Sequence, residues 1–168
     1  MNTPVNLPAH GAYTDHGRPH GYTAITPHLV VTPAAQALAF YQQVFKVRVL
    51  DVTKFPGADA IAHAVLDFGS GMLTLSDPLA PYGLIAPDPA RGSSFSLALY
   101  VSEVDDVFAR ATAAGATVRE PLSTFVSGDR FGTIVDPFGV RWALMTRVED
   151  LSPEESRQRI EAWSKQQK

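Results

Sequence analysis

Apolar residues recur along this chain with two different periods, and the switches between them mark its elements. After about twenty residues with no apolar period, Thr23–Val31 reads as a strand, with Pro27 confining it to an edge or an early position. Ala34–Phe45 follows with Ala37, Leu38, Tyr41 and Phe45 at helical spacing; Thr32 is placed to cap it, with Pro33 at its first position. Val47–Val52, Ile61–Phe68 and Met72–Ser76 then read as strands, the last two joined by a hairpin through Gly69, Ser70 and Gly71. Residues 78–93, rich in Pro, Gly and Ala, form a long connection.

The order then repeats. Phe95–Val101 predicts a strand, Ser102 a helix cap, and Val104–Ala114 an amphipathic helix on Val104, Val107, Phe108 and Ala111, closed by Gly115. Three strands follow, near Thr117–Leu122, Phe131–Val135 and Arg141–Thr146, the last two joined by a tight turn at Asp136, Pro137, Phe138 and Gly139. Ser152, Pro153 and Glu155 carry the signature of a capping box opening a helical tail. The chain thus reads as β-α-β-β-β twice, an α+β architecture in which two curved mixed sheets face one another across a cleft. The expected organisation is a loose arm over residues 1–20, a domain over 21–150 and a tail over 151–168. Within the domain one module covers about 22–77 and the other about 95–147.

Composition narrows the chemistry more than it defines it. The 168 residues contain no cysteine, which removes disulfides, thiolate zinc sites and cysteine nucleophiles. A formal net charge of −3 gives no electrostatic pull toward nucleic acid or anionic lipid. No signal peptide and no apolar run of membrane-spanning length is visible, so the expected location is the cytoplasm. No glycine-rich phosphate loop and no nucleophile elbow is present. His10, His16 and His20 fall in the arm at irregular spacing among glycines and read as a solvated tail.

Several segments bear a family likeness. They are Phe40-Tyr41, His63–Leu66, Ala113–Val118 and the run Gly128–Thr133 with Asp136–Trp142. In these the chain resembles the vicinal oxygen chelate superfamily, which includes glyoxalase I, extradiol dioxygenases, fosfomycin-resistance enzymes and bleomycin-binding proteins. Thr26–Val31 and Val148–Glu155 are similar to a bacterial branch described only as glyoxalase/bleomycin-resistance-like, and the likeness covers about residues 21–160. Metal-using members hold a divalent ion with four inward side chains, one from each of four strands. Carried over by motif spacing, those positions are Thr26, His63, Ser96 and Ala143, of which only His63 is a competent ligand. His28 lies two residues beyond Thr26, on the same strand face, and is the nearest substitute. Asp67, near the end of its strand, could add a carboxylate but reads rather as a solvent-facing or turn-capping residue. Where the branch often has two further histidines, this chain has Val140 and Arg147.

The resemblance therefore implies a retained fold without its usual ligand set. The leading expectation is a metal-independent cleft holding a small, partly aromatic molecule such as an antibiotic or secondary metabolite. Its lining is expected from His28, His63, Ser96, Tyr100, Arg130 and Trp142. No cofactor is expected. The alternative is an enzyme using His63 and His28, either around a divalent metal as lyase, isomerase or dioxygenase, or as a metal-free acid–base pair. A third reading is a dimerising accessory protein with no small ligand. A homodimer is expected in any case, since related proteins build clefts at such interfaces. For Asp129 and Arg130 the residues leave two roles open: a turn cap with a paired arginine, or an arginine that forks an anionic ligand group.

Overall fold

The structure is a computed structural model and describes residues 7–167; the first six residues of the expected arm lie outside them. The chain divides into two compact units. One runs to residue 84 without 43–45; the other comprises 43–45 and the residues from 85 onward. The architecture is α+β, with three helices, two four-stranded mixed sheets and one small two-stranded sheet among the described residues.

In the first unit, β1 (Thr14–Asp15) and β2 (Arg18–Pro19) make a short hairpin in what reads from sequence as a loose arm. The larger sheet has the order β3-β6-β5-β4, from β3 (His28–Val30), β4 (Arg48–Lys54), β5 (Ile61–Asp67) and β6 (Met72–Ser76). β3 runs parallel to β6 and the other pairs are antiparallel. Between β3 and β4 lies α1 (Ala34–Phe45). Of the face predicted from helical spacing, Ala37, Leu38 and Tyr41 are buried, joined by Ala34 and Val44, while Phe45 is only half-buried.

The second unit repeats this plan. β7 (Leu97–Tyr100), β8 (Thr117–Thr124), β9 (Asp129–Val135) and β10 (Arg141–Arg147) take the order β7-β10-β9-β8, again with the first strand parallel to the last. α2 (Val104–Ala113) packs on this sheet through Val104, Val107 and Ala111. Gly132 explains how closely it does so: a Cβ there would come within 2.7 Å of the Phe108 ring. Gly139, at φ +86°, supplies the left-handed residue of the predicted 136–139 turn, and its N–H donates to the Asp136 carbonyl at 3.1 Å. The tail forms α3 (Pro153–Gln166) with the full capping box between Ser152 and Glu155.

The caps predicted for α1 and α2, Thr32 and Ser102, are replaced. α1 begins after Pro33, and no side chain of its own N-cap accepts a hydrogen bond. Asp77, just past β6, does so instead: its Oδ1 accepts from Ala34 N at 3.1 Å and its Oδ2 from Ile61 N at 2.8 Å. At α2 the N-cap is Glu103, again without a side-chain bond, and Val104 N donates to Thr146 Oγ1 at 3.2 Å. In each unit the residue that caps the helix comes from the end of the last strand.

Candidate functional site: the polar face of the first sheet

Strand alternation sorts the first sheet into two faces. The register pairs Leu29 with Leu75 and Ala64 with Leu75, so these buried residues share one face. It pairs His28 with Thr74, Thr74 with Val65, and Thr53 with His63, so the other face gathers His28, Thr74, Ser76 and His63.

His28 is the fixed member of that group. Its Nδ1 lies 2.9 Å from Thr74 Oγ1 and its Nε2 3.2 Å from Ser76 Oγ. The Thr74 hydroxyl donates to the Pro27 carbonyl at 3.3 Å, so it accepts from Nδ1–H. In the neutral ring, the form that its lowered pKa favours, the proton is then on Nδ1 and Ser76 Oγ donates to Nε2. Burial, and next the neighbouring His63 ring, hold the His28 imidazole below its ordinary pKa. The two rings lie nearly parallel, with centroids 6.2 Å apart and planes at 8°. His63 is exposed, and no hydrogen bond holds its side chain among the described residues.

The carboxylates near this face are engaged elsewhere. Asp67 is buried at the strand end, where its Oδ1 accepts from Gly69 N at 2.6 Å and its Oδ2 meets the Arg48 guanidinium. The Gly69 N–H first, then Arg48, hold its carboxyl below the usual range. Of the solvent-facing and turn-capping roles open to it from sequence, Asp67 takes the turn-capping one and is buried. Asp51 accepts from Thr53 Oγ1 at 3.3 Å. Two imidazoles, one committed at both nitrogens to hydroxyls, do not supply the three good N or O ligands of a catalytic divalent centre. The donor set of this sheet therefore does not fit the metal of the resembled family.

The candidates in the second unit separate onto two faces. Ser96, just before β7, is exposed, and Tyr100 is 59% exposed; Tyr100 pairs with Met145 and Met145 with Phe131. Trp142 is on the opposite, helix-covered face. It is 2% exposed, donates from Nε1 to Asp136 Oδ2 at 2.9 Å, and has the Phe45 ring at 4.8 Å. Arg130 also faces α2, where Nε donates to Asp105 Oδ2 at 2.7 Å and Nη2 to Oδ1. That ion pair raises the arginine pKa and lowers that of Asp105. Of the two roles sequence leaves open for Arg130, the structure displays the paired one.

The arginine on the Tyr100 face is Arg147, which the sequence does not single out as a site residue. It forks Asp129 with Nε to Oδ1 at 2.7 Å and Nη2 to Oδ2 at 3.2 Å, and this pair, with Tyr100 contributing, raises its pKa. Counting by twos along β10 from Ala143 reaches it, so the signal is present in the alternation.

The shared topology also pairs positions between units. Val31 N donates to Ser76 O as Val101 N does to Met145 O, which sets His28 against Ala98, Thr74 against Ala143, and Ser76 against Met145. His63 then corresponds to Phe131, and Thr26 to Ser96. Within the carried-over quartet, the counterpart of Ala143 is accordingly Thr74 and not His63.

Comparison with known proteins places this arrangement. The sequence profile of the Glyoxalase/Bleomycin resistance protein/Dioxygenase superfamily matches residues 19–144. The uncharacterized protein Rv0887c of Mycobacterium tuberculosis is 35% identical over 136 residues, covering 79% of each chain. Protein PA1353 of Pseudomonas aeruginosa superposes with a TM-score of 0.63 at 26% identity, over 73% of this chain and 96% of its own. The fosfomycin resistance protein FosX of Listeria monocytogenes, solved with Mn(II) and sulfate, shares the fold with a TM-score of 0.61 at 15% identity, over 82% and 97%. No helix among the described residues is long and apolar enough to cross a membrane. With three-quarters of its length matched by the profile and its βαβββ plan repeated in both units, the chain belongs to the glyoxalase/bleomycin resistance/dioxygenase superfamily.

Proposed function

We propose that this protein binds a small, partly aromatic molecule on the polar face of its first sheet, without a metal there. The observation that carries this reading is the pair of imidazoles. His28 is held in place by Thr74 and Ser76, with its pKa lowered by burial, while His63 beside it is exposed with its hydrogen-bonding capacity unspent. A fixed neutral ring next to a free one offers a planar surface with donor and acceptor atoms, which suits an uncharged or weakly polar planar ligand. On the second unit taken by itself, Tyr100 and Ser96 are exposed beside the Arg147–Asp129 pair and are separate candidates for ligand contact. An antibiotic or other secondary metabolite is the class proposed, and the fosfomycin resistance activity named for FosX lends that class its support.

A thermal-shift screen of the whole chain against aromatic antibiotics and related planar metabolites tests this. A ligand present at ~100 times its dissociation constant should add about 2.7 kcal/mol of stability. The His63→Ala variant should lose most of that gain while melting like the parent on its own. A broad panel that stabilises nothing, or a hit indifferent to His63→Ala, would count against the proposal.

A second reading rests on the lowered pKa of His28. A neutral imidazole beside a second one can act as base and acid on a bound substrate near neutral pH. It differs from simple binding in one observable: turnover of the hit compound by metal-depleted protein, abolished in His28→Gln.

A further inference from the structure

The N-terminal arm, which the sequence predicts to be a solvated tail, is folded around a different set of ligands. β1 and β2 pair Asp15 with Arg18 across a two-residue turn. Both central residues, His16 at φ +44° and Gly17 at φ +84°, take the left-handed backbone that a type I′ hairpin requires. Two backbone bonds fold the preceding residues back over this turn: Gly17 N to Ala9 O at 2.8 Å, and Gly11 N to Thr14 O at 2.9 Å. The result brings His10 over His16, with ring centroids 4.6 Å apart and planes at 30°.

Asp15 sits at the focus of the two rings. Its Oδ1 is 3.4 Å from His10 Nδ1 and 3.8 Å from His16 Nε2. Among the described residues this is the one group of three such side chains whose ligand atoms all lie within 4.8 Å of one another. A tetrahedral ion with bonds of ~2.0–2.1 Å needs its ligand atoms roughly 3.3 Å apart. Small rotations of three exposed side chains close that gap, and the exposure leaves a clear path from solvent. Arg18 lies 3.6 Å from the other oxygen, Oδ2, so it neutralises part of the carboxylate without occupying Oδ1.

We propose that His10, Asp15 and His16 form a surface binding site for a borderline divalent transition ion: Zn²⁺, Ni²⁺ or Cu²⁺. Two imidazole nitrogens and one carboxylate oxygen favour these over Mg²⁺ or Ca²⁺, which take oxygen sets. The ion clips residue 10 to residues 15 and 16 and so holds the arm in its folded-back form. The site is separate from the His28–His63 face and does not depend on the function proposed for it.

The test is calorimetric titration of the full, chelator-stripped chain with Zn²⁺, followed by electron paramagnetic resonance with Cu²⁺. The expected result is one ion per chain at this site, with two-nitrogen coupling in the copper spectrum. His10→Ala and His16→Asn should each weaken binding at least ~10-fold, since losing a ligand costs no less than losing a group that merely orients one. Asparagine at position 16 keeps the left-handed turn accessible, so loss there reports the ligand and not the hairpin. The double variant His28→Ala/His63→Ala should bind at the parental affinity. A flat titration, affinity unchanged in the two arm variants, or binding lost only in the double variant would each overturn the proposal.

Discussion

Where the first sheet carries His28, Thr74, Ser76 and His63 on the face opposite Leu29 and Leu75, the corresponding places in the second carry Ala98, Ala143, Met145 and Phe131. Yet the covered faces match: Leu29 and Leu75 in one unit, Trp142, Ile134 and Leu144 in the other, all buried. Even the capping device is shared, with Asp77 and Thr146 leaving the ends of the last strands to meet the first helical N–H groups. The repeat therefore conserves the apolar face that holds each unit together and varies the chemistry of the opposite face. Because alternate residues along a strand face opposite ways, one face can change chemistry while the other keeps its packing. Imidazoles and hydroxyls on the first sheet are consequently not demanded by the fold, which marks them as candidates for function.

The largest expected effect lies in the second unit. Asp136, 3% exposed, accepts from Phe138 N and Val140 N with Oδ1, each at 2.9 Å, and from Trp142 Nε1 with Oδ2. Asp136→Ala leaves those donors buried without it and should cost about 3–5 kcal/mol in denaturant unfolding. A cost below that of Asp77→Ala would show that the turn tolerates the loss and would weaken the packing comparison.

The two caps should rank next. Asp77 serves two backbone N–H groups and stands 3.4 Å from the Thr32 hydroxyl, whereas Thr146 serves one N–H and donates to Val101 O at 2.7 Å. Asp77→Ala should cost about 2 kcal/mol and Thr146→Ala about 1 kcal/mol. Equal losses would mean that the shared device is not the main contribution of either residue.

The smallest effect should be the pH dependence of the first unit. Folding lowers the His28 pKa, so below the unfolded imidazole value of ~6.5 the unfolded chain binds more protons than the native one. The stability tied to His28 is complete above that pH and is lost as pH falls through it toward the lower folded value. His28→Gln should flatten this part of the stability profile. An unchanged slope would assign the acid sensitivity to other groups and remove the electrostatic contrast between the sheets.

The amino-acid sequence by itself determined whatever a few neighbouring residues can encode. Its alternation and helical spacing located the two repeated modules but not the β1–β2 hairpin, the Asp136–Gly139 turn and the Ser152–Glu155 capping box followed from local chemistry, and the repeat implied the architecture while short motifs carried the family likeness. The tertiary structure decided what depends on register between distant segments. The real caps of α1 and α2 stand 43 and 42 residues from the amides they serve, beyond any local signal. Trp142 and Arg130 carry the right chemistry for a ligand, but strand parity turns both toward α2, where Asp136 and Asp105 already engage them. Parity likewise puts Arg147 and His28 on the faces opposite Trp142 and Leu29, and a two-residue turn gathers His10, Asp15 and His16 from an aperiodic stretch. Local sequence sets which backbone forms; only pairing across the sheet fixes which side each residue faces, and so which of them can meet a ligand.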